Sequence, residues 1–340
     1  MAHDPWRVRE SDYPSAGTTE QRLRFFLRYA VLAPSAHNSQ PWRFRVADGR
    51  AYLYADRRRR LPIADPEDRE LTISCGAALF HLRLAMRYFG QAETVEAAPD
   101  PEDPELLATV TLAGPHAPDD TDRSLFRAVP RRFTHRGPFQ ATPVPPALQN
   151  MMQSLAAHEG AGLHCLSGPE TKGVVAALVA EGDRHQGGDP PFRRELADWL
   201  RTGLSRQRDG LHPRPLGVGL AMSLVLPAYL RWINWGPSQA RQDRQWAREA
   251  PLLAVLTTAR DGISCWLTAG QALAAVLLRA AEDGVQAAYL NQAVQVPELR
   301  QRLGEQLGGT GQPQVLLRLG YAGGTRRPAP RRPAELVIDG

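Results

Sequence analysis

The sequence predicts an α+β fold made of two fused halves, with flanking helices around a central antiparallel or mixed sheet. Three observations carry this prediction. Two runs of alternating apolar residues flank Asp48-Gly49, which is a strong signal for a β-hairpin. Strand-like runs and runs with helical spacing both recur along the chain. A helix-like segment from Gly76 to Gly90 has a counterpart of equal length from Gly270 to Gly284.

The two matching segments share more than their length. Each begins Gly-x-Ala-Leu and each ends at a glycine, which commonly terminates a helix. Chance is one explanation, because helices in Ala-rich chains resemble each other. The alternative is that each half supplies one core helix, so that the chain is a pseudo-dimer with an internal two-fold axis.

The elements of the first half follow in chain order. Residues 1–18 are predicted to form a loose N-terminal arm, and the first helix begins near Thr19, a plausible N-cap. The hairpin comes next, then the long helix that stops at Gly90, and then a strand at LLATVTLAG. We therefore assign residues 19–118 to the first half.

The second half covers residues 119–340. Prolines open a helix at VPPALQNMMQSLAAH, and a second helix lies at SCWLTAGQALAAVLLRAAEDG. Residues 183–248 contain Gly and Pro breaks, an apolar run and the tryptophans Trp232, Trp235 and Trp246, which predicts an insertion. The predicted strands of this half are GLHCL, PLLAVLTT and QPQVLLRLGY.

Composition limits the classes of function. The formal charge is +5, but Lys172 is the only lysine and the Arg, Gly, Pro and Ala content is typical of a GC-rich genome, so we do not predict a nucleic-acid partner. The longest apolar run, Leu216 to Leu230, is too short to span a bilayer and contains Pro227. The polar start contains no signal peptide. The three widely spaced cysteines fit free thiols, so we expect a cytoplasmic protein without a membrane partner.

Three polar or basic groups stand out as candidate sites. The first is APSAHNSQPW, and the second is RRFTHR from Arg131 to Arg136. The third is the C-terminal basic tail, with Arg326, Arg327, Arg331 and Arg332. We find no Gly-rich phosphate loop, no metal-ligand spacing and no nucleophile elbow, so no metal is predicted.

The RRFTHR segment has the alternation of an extended chain. In such a segment Arg132, Thr134 and Arg136 point to one side. Guanidinium groups bind phosphate in a bidentate manner, and a hydroxyl adds a further donor. The alternative is a solvated Arg-rich edge, which the segment alone does not exclude.

Together these motifs resemble a known family. APSAHNSQPW is similar to the Pro-Ser-x-x-Asn-x-Gln-Pro-Trp segment of nitroreductase-like FMN flavoproteins, and RRFTHR resembles their Arg-x-Ser-x-Lys/Arg phosphate segment. In this chain the second motif follows the first, as in the Acg-type FMN-binding branch. The resemblance implies a nitroreductase-like fold in which two halves are fused around one FMN, as a monomer with an internal pseudo-two-fold or as a dimer.

The resemblance also implies roles for individual residues. Arg132 and Thr134 would hold the FMN phosphate and ribityl chain, and Arg136 would lie near the pyrimidine edge. Asn291 and Gln292 occupy the place of the Glu-Gly pair that the family has near flavin N5, which is a departure. The first half would add Ser35, Asn38 and Gln40, and Arg331 or Arg332 would close the phosphate site.

The implied function is hydride transfer between flavin N5 and a small organic acceptor. Nitroaromatics or quinones are the expected acceptors and NAD(P)H the expected donor, with the chemistry supplied by FMN. The insertion would act as a lid. Two alternatives remain: an FMN storage or sensing protein without reductase turnover, and an FMN-dependent dehydrogenase on a biosynthetic intermediate. His37 could contact ligand or be structural, and His81 is expected to be structural.

Overall fold

A strand hairpin and its neighbours form the sheet of the first half. In the computed structural model, which describes residues 4–213, 217–323 and 328–339, the order of this sheet is β3-β4-β2-β1-β9. As predicted, the hairpin turns at Asp48 and Gly49, which have φ of 52° and 70° and so suit a tight turn between strands. Its strands are β1 (Trp42–Ala47), β2 (Arg50–Ala55), β3 (Gln91–Ala97), β4 (Leu106–Pro115) and β9 (Ile338–Asp339).

The second half has a sheet of its own. Its order is β5-β6-β8-β7, and all of its neighbouring strands are antiparallel. Every residue of β6 is buried, as expected for an uninterrupted apolar run. The strands are β5 (Gly162–Leu166), β6 (Leu252–Thr258), β7 (Val285–Tyr289) and β8 (Gln312–Tyr321).

Helices surround the two sheets. The first half and the start of the second contain α1 (Thr19–Ala30), α2 (Arg69–Tyr88), α3 (Asp120–Ala128) and α4 (Pro146–His158). The middle of the chain contains α5 (Pro169–Gly188), α6 (Pro190–Trp199), α7 (Leu220–Trp232) and α8 (Gly236–Glu249). The remainder contains α9 (Ile263–Glu282), α10 (Gln292–Gln295) and α11 (Pro297–Gln306).

The two long helices α2 and α9 form the centre of the molecule. They contain the predicted matching segments, and they pack against each other at Gly76 and Gly270. The α+β class is as predicted, but the sheet differs in detail. It is divided into two sheets, because the central position is taken by this helix pair, and β9 of the predicted second half joins the sheet of the first.

Helix α9 is also long and apolar enough to cross a membrane by length and composition. Most of its residues are buried, and it packs on α2 in the interior. Its apolar character is therefore explained by its place in the core.

The two ends of the chain meet. The Trp6 indole donates a hydrogen bond to the Ala329 carbonyl at 3.0 Å, and the Arg331 guanidinium lies 5.4 Å from the centre of the Trp6 ring. The N-terminal arm is thus packed against the C-terminal tail, although the sequence predicted a loose arm. Arg326 and Arg327 of the predicted basic tail lie outside the described residues.

Candidate functional site

The loop APSAHNSQPW connects α1 to β1 in an unusual backbone conformation. His37, Asn38 and Gln40 have φ of 49°, 55° and 52°, in the left-handed region that residues other than glycine seldom adopt. The Ser35 hydroxyl accepts the Gln40 amide at 2.9 Å, and Ser74 of α2 accepts the Ala36 amide at 3.2 Å. Three strained residues held in place by side chains indicate a segment shaped for a specific task.

Asn38 uses its whole hydrogen-bonding capacity within the protein. Its Nδ2 donates to the carbonyls of Gly210 and Pro330, at 3.1 and 3.2 Å. Its Oδ1 accepts from Arg331 Nη1 at 2.8 Å and from Gln40 Nε2 at 3.4 Å. The side chain therefore joins the loop to the insertion and to the C-terminal tail.

Gln40 has a similar connecting position. Its side chain is fully buried, at 0% exposure, and its Nε2 donates to the Arg208 carbonyl at 2.8 Å. Its Oε1 accepts the Arg332 backbone amide at 2.7 Å. Since all of its polar atoms contact protein, the geometry does not support the predicted direct contact with a cofactor.

Arg132 is a buried cation without an acidic partner among the described residues. It is 4% exposed, and its Nε has no hydrogen-bond partner in that part of the chain. Burial lowers the pKa of its guanidinium. The segment that follows is extended, as predicted, because Thr134 bridges to Ala287 of β7.

The structure separates the two candidate arginines of the tail. Arg331 is 3% exposed, and its Nε and Nη1 donate to the Ala33 carbonyl and to Asn38. Burial, and then the nearby charge of Arg132, lower its pKa. Arg332 instead donates to the carbonyls of Gln40 and Leu336, so only Arg331 lies beside Arg132.

Arg136 lies in the same region. The residue is exposed at the surface, and desolvation by the surrounding protein lowers the pKa of its guanidinium. The charge of Arg136 acts on His37. Burial of the imidazole, and then this charge, lower the pKa of His37 to about 4. Tyr289, at the end of β7, interacts with the charges of Arg132, Arg136 and Arg331.

These residues form an arginine cluster, defined here as Arg132, Arg136 and Arg331. In residues 4–213, 217–323 and 328–339, no member of the cluster forms an ion pair. A buried cation without a counter-charge is costly, and two of them repel each other. The cluster is therefore complementary to an anion, and guanidinium groups suit phosphate in particular.

The predicted pair Asn291 and Gln292 lies in and beside α10. Asn291 donates to Glu70 Oε1 at 3.0 Å and accepts the Leu316 amide at 3.2 Å. Gln292 Nε2 donates to Asp183 and Asp243, at 3.1 and 3.2 Å. Both amide side chains are thus held by acids from other elements, and Gln292 is turned toward the insertion.

The predicted site omitted several residues that the fold brings to this region. Burial raises the pKa of Glu70 to about 7, although Arg69 opposes the shift. Burial, and then Asp243, raise the pKa of Asp183 to about 8. Tyr289 lies two positions before Asn291, but neither it nor these acids belongs to a recognisable local motif. Their contacts are long-range, so a single sequence contained no signal for them.

The chain is similar to known proteins over nearly its whole length. No family model matches it. A Mycobacterium tuberculosis protein that carries the name NAD(P)H nitroreductase, Rv3131, is 32% identical over 332 residues, which cover 96% of this chain and 92% of the relative. The NAD(P)H nitroreductase acg of the same organism is 28% identical over 96% of this chain and 97% of its own.

Solved structures give a further comparison. The FMN and NADPH-dependent nitroreductase NfnB from Sphigopyxis sp. strain HMH is 22% identical and has a TM-score of 0.44, over 64% of this chain and 98% of its own. NfnB from Mycobacterium smegmatis, solved with NADPH, is 14% identical and has a TM-score of 0.41, over 65% of this chain and 99% of its own.

Proposed function

Because the chain belongs to the nitroreductase-like FMN flavoproteins, in their Acg-type branch, we propose that the arginine cluster holds the phosphate end of FMN. The observation that carries the proposal is the pair Arg132 and Arg331, which are buried together with no acidic partner among the described residues. A phosphate between them would offset both desolvation and mutual repulsion. Its oxygens match the donors that the guanidinium groups present.

The neighbouring residues fit the remainder of such a cofactor. Thr134 lies on the extended segment between Arg132 and Arg136, where a hydroxyl suits the ribityl chain. Arg136 is the accessible cation of the cluster, and Ser35 lies in the strained loop that carries Asn38. Asn38 and Gln40 are positioning residues in this proposal, because their side chains fix Arg331 and Arg332 rather than meet the ligand.

FMN supplies the redox chemistry, which is hydride transfer to and from a small organic molecule. The protein places cations around it and excludes water from the phosphate end. We propose NADH or NADPH as the donor and a nitroaromatic or quinone as the acceptor, in the reducing cytoplasm. A neutral His37 beside Arg136 would not add a second charge at neutral pH, because its pKa is about 4.

One observation favours a second candidate function, in which FMN is bound without reductase turnover. The insertion is fastened to the strained loop through buried bonds: Asn38 and Gln40 donate to the Gly210 and Arg208 carbonyls, and the Gly210 amide donates to Asn38. An ion pair joins Arg59 and Asp209 next to them. An insertion anchored in this way would restrict the entry of a nicotinamide donor.

The two functions are separated by anaerobic reduction. The purified full-length protein should be yellow, and rapid mixing with NADH or NADPH should bleach the visible absorbance of FMN if the chain turns over. Bleaching by dithionite alone would favour storage. A colourless protein that cannot be reconstituted with FMN would contradict both.

The phosphate assignment has a matched pair of variants. Arg132→Ala should lose FMN on gel filtration, because one of the two buried cations is gone. Arg131→Ala removes the exposed neighbouring arginine and should keep FMN. Full FMN occupancy in Arg132→Ala would refute the assignment, and loss in both variants would show a general effect of the segment.

A further inference from the structure

Helix α7 presents an apolar surface to solvent. Among its residues whose burial is described, only Ser223 is buried. Trp232 is 74% exposed, which is unusual for so large an apolar side chain. The exposed large apolar residues of α7 and of the position that follows it are Leu220, Met222, Leu224, Val225, Tyr229, Trp232 and Ile233.

The helix is held on one side only. It packs on α6, the Ser223 hydroxyl accepts the Gly203 amide at 2.9 Å, and Arg231 forms an ion pair with Asp198. At 100° per residue, the exposed positions from Leu220 to Trp232 cover more than half of the circumference. That arc contains one charged residue, Arg231, which lies near its edge and is paired with Asp198. An exposed apolar face of this extent marks an interaction surface.

The charge around the helix indicates the kind of partner. Residues 183–248 contain eleven arginines against six acidic residues, which is as large an excess as the formal charge of +5 on the whole chain. Arg194 on α6 and Arg206, three positions beyond Gly203, are exposed and form no ion pair with a described residue. The surroundings of α7 are therefore complementary to an anionic surface.

We propose that α7 is an interfacial helix that binds the surface of an anionic lipid bilayer. An apolar face beside basic residues is the pattern of helices that lie in the headgroup region, and Tyr229 and Trp232 suit its amphipathic environment. With 13 residues α7 is too short to span a bilayer. We predicted no membrane partner because the sequence has no apolar run long enough to span a bilayer. Interfacial binding does not require such a run.

A second copy of the chain is a less favoured partner for the apolar face of α7 than a bilayer. Two copies related by a two-fold axis through α7 would bring two segments with excess positive charge together. A bilayer with anionic headgroups gains from the same charge, because each basic residue near such a surface contributes to binding.

Vesicle co-sedimentation of the FMN-loaded full-length chain tests the proposal. Vesicles of phosphatidylcholine alone are compared with vesicles in which about one third of the lipid is phosphatidylglycerol. We expect binding to the anionic vesicles, with weaker binding at high salt. No binding to them, or equal binding to both compositions, would overturn the proposal.

Matched variants locate the surface. Met222→Gln combined with Trp232→Gln should lower the partition coefficient by about tenfold or more, because both side chains leave the apolar face. Met151→Gln is the control, because Met151 is a similarly exposed methionine on α4, at 48% against 56% for Met222. Arg194→Gln and Arg206→Gln should each weaken binding by about fivefold.

Sedimentation velocity without lipid tests whether a second copy of the chain binds the apolar face of α7. A stable dimer of the wild type that becomes monomeric in the Met222→Gln/Trp232→Gln variant would assign the face to a second copy and overturn the proposal. A monomer at all concentrations tested, together with lipid binding, supports it. FMN absorbance confirms that each variant is folded, because α7 supplies none of the proposed cofactor ligands.

Discussion

Gly76 of α2 and Gly270 of α9 lie against each other where the two central helices cross. A Cβ placed on Gly76 would be 3.0 Å from the Gly270 Cα, and one on Gly270 would be 2.7 Å from the Gly76 Cα. The first glycine of each matching sequence segment is thus the point of closest approach. The repeat in the sequence and the packing in the fold coincide, which supports our proposal of two halves with an internal pseudo-two-fold.

This crossing predicts an unequal response to glycine replacement. Gly270→Ala should lower the free energy of unfolding by roughly 3 kcal/mol or more, because its Cβ would lie 2.0 Å from the Ile73 carbonyl oxygen and the backbones must separate. Gly173→Ala is the control, because this glycine of α5 has open space around it and should gain about 0.5–1 kcal/mol. Urea unfolding followed by circular dichroism measures the stability of both variants. Equal unfolding midpoints for Gly270→Ala and Gly173→Ala would contradict the close contact of the two helices at Gly270.

Arg331 and Arg332 should differ in their effect on the cofactor. Arg331→Gln removes the buried cation beside Arg132 and should weaken FMN binding by about tenfold or more. Arg332→Gln removes a side chain whose hydrogen bonds to described residues go to the backbone carbonyls of Gln40 and Leu336, and it should change affinity little. FMN fluorescence titration of the apoprotein measures both affinities. A larger loss of FMN affinity in Arg332→Gln than in Arg331→Gln would assign the phosphate contact to Arg332 instead.

Asp183 should make stability depend on pH. Burial raises its pKa to about 8 from an ordinary value near 4, so the folded state keeps a proton that the unfolded state has released. Stability therefore falls as pH rises from about 4 to 8, and the full penalty is present above pH 8. Asp183→Asn should remove it and raise stability at pH 8 by about 1–3 kcal/mol, with little effect at pH 4.

Denaturant unfolding over this pH range measures the effect. Asp120→Asn replaces a fully exposed acid and is the control, because it retains Asp183 and should keep the pH dependence of the wild type. If Asp183→Asn raised the free energy of unfolding by the same amount at pH 4 and pH 8, the cause would be packing and not the proton bound to Asp183.

Gln40 should couple the cofactor site to the C-terminal tail. Gln40→Ala leaves the Arg332 amide and the Arg208 carbonyl without their side-chain partner, so we expect a loss of about 2–4 kcal/mol in stability and a weaker hold on FMN. Gln140→Ala, at an exposed position, should be neutral. Limited proteolysis would show faster cleavage near the C terminus in Gln40→Ala; unchanged cleavage and affinity would count against the coupling.

Local signals predicted most of the fold. The Asp48-Gly49 hairpin and the long central helices were recovered because their patterns are short-range and strong. Strand β3 was missed because QAETVEA is polar and has no clean alternation, and β7 because VQAAY is short and Ala-rich. The first helix is capped by Thr18 rather than the predicted Thr19, since Thr18 forms the capping box with Gln21.

The candidate site was predictable only where a motif is continuous in sequence. RRFTHR and APSAHNSQPW identified the two segments, and the resemblance to FMN-binding nitroreductase-like proteins that they suggested is confirmed. The choice between Arg331 and Arg332, and the connecting roles of Asn38 and Gln40, depend on contacts across some three hundred positions. No local pattern encodes such contacts.

The pairing of Arg132 with Arg331 has a consequence for biosynthesis. The two residues are 199 positions apart, and the loop that carries Asn38 lies still further toward the N terminus. During translation the earlier segments emerge and begin to fold before Arg331 has been synthesised. The nascent chain therefore has only part of its anion-binding cluster, and capture of the flavin is expected to follow, rather than guide, the folding of the first three hundred residues.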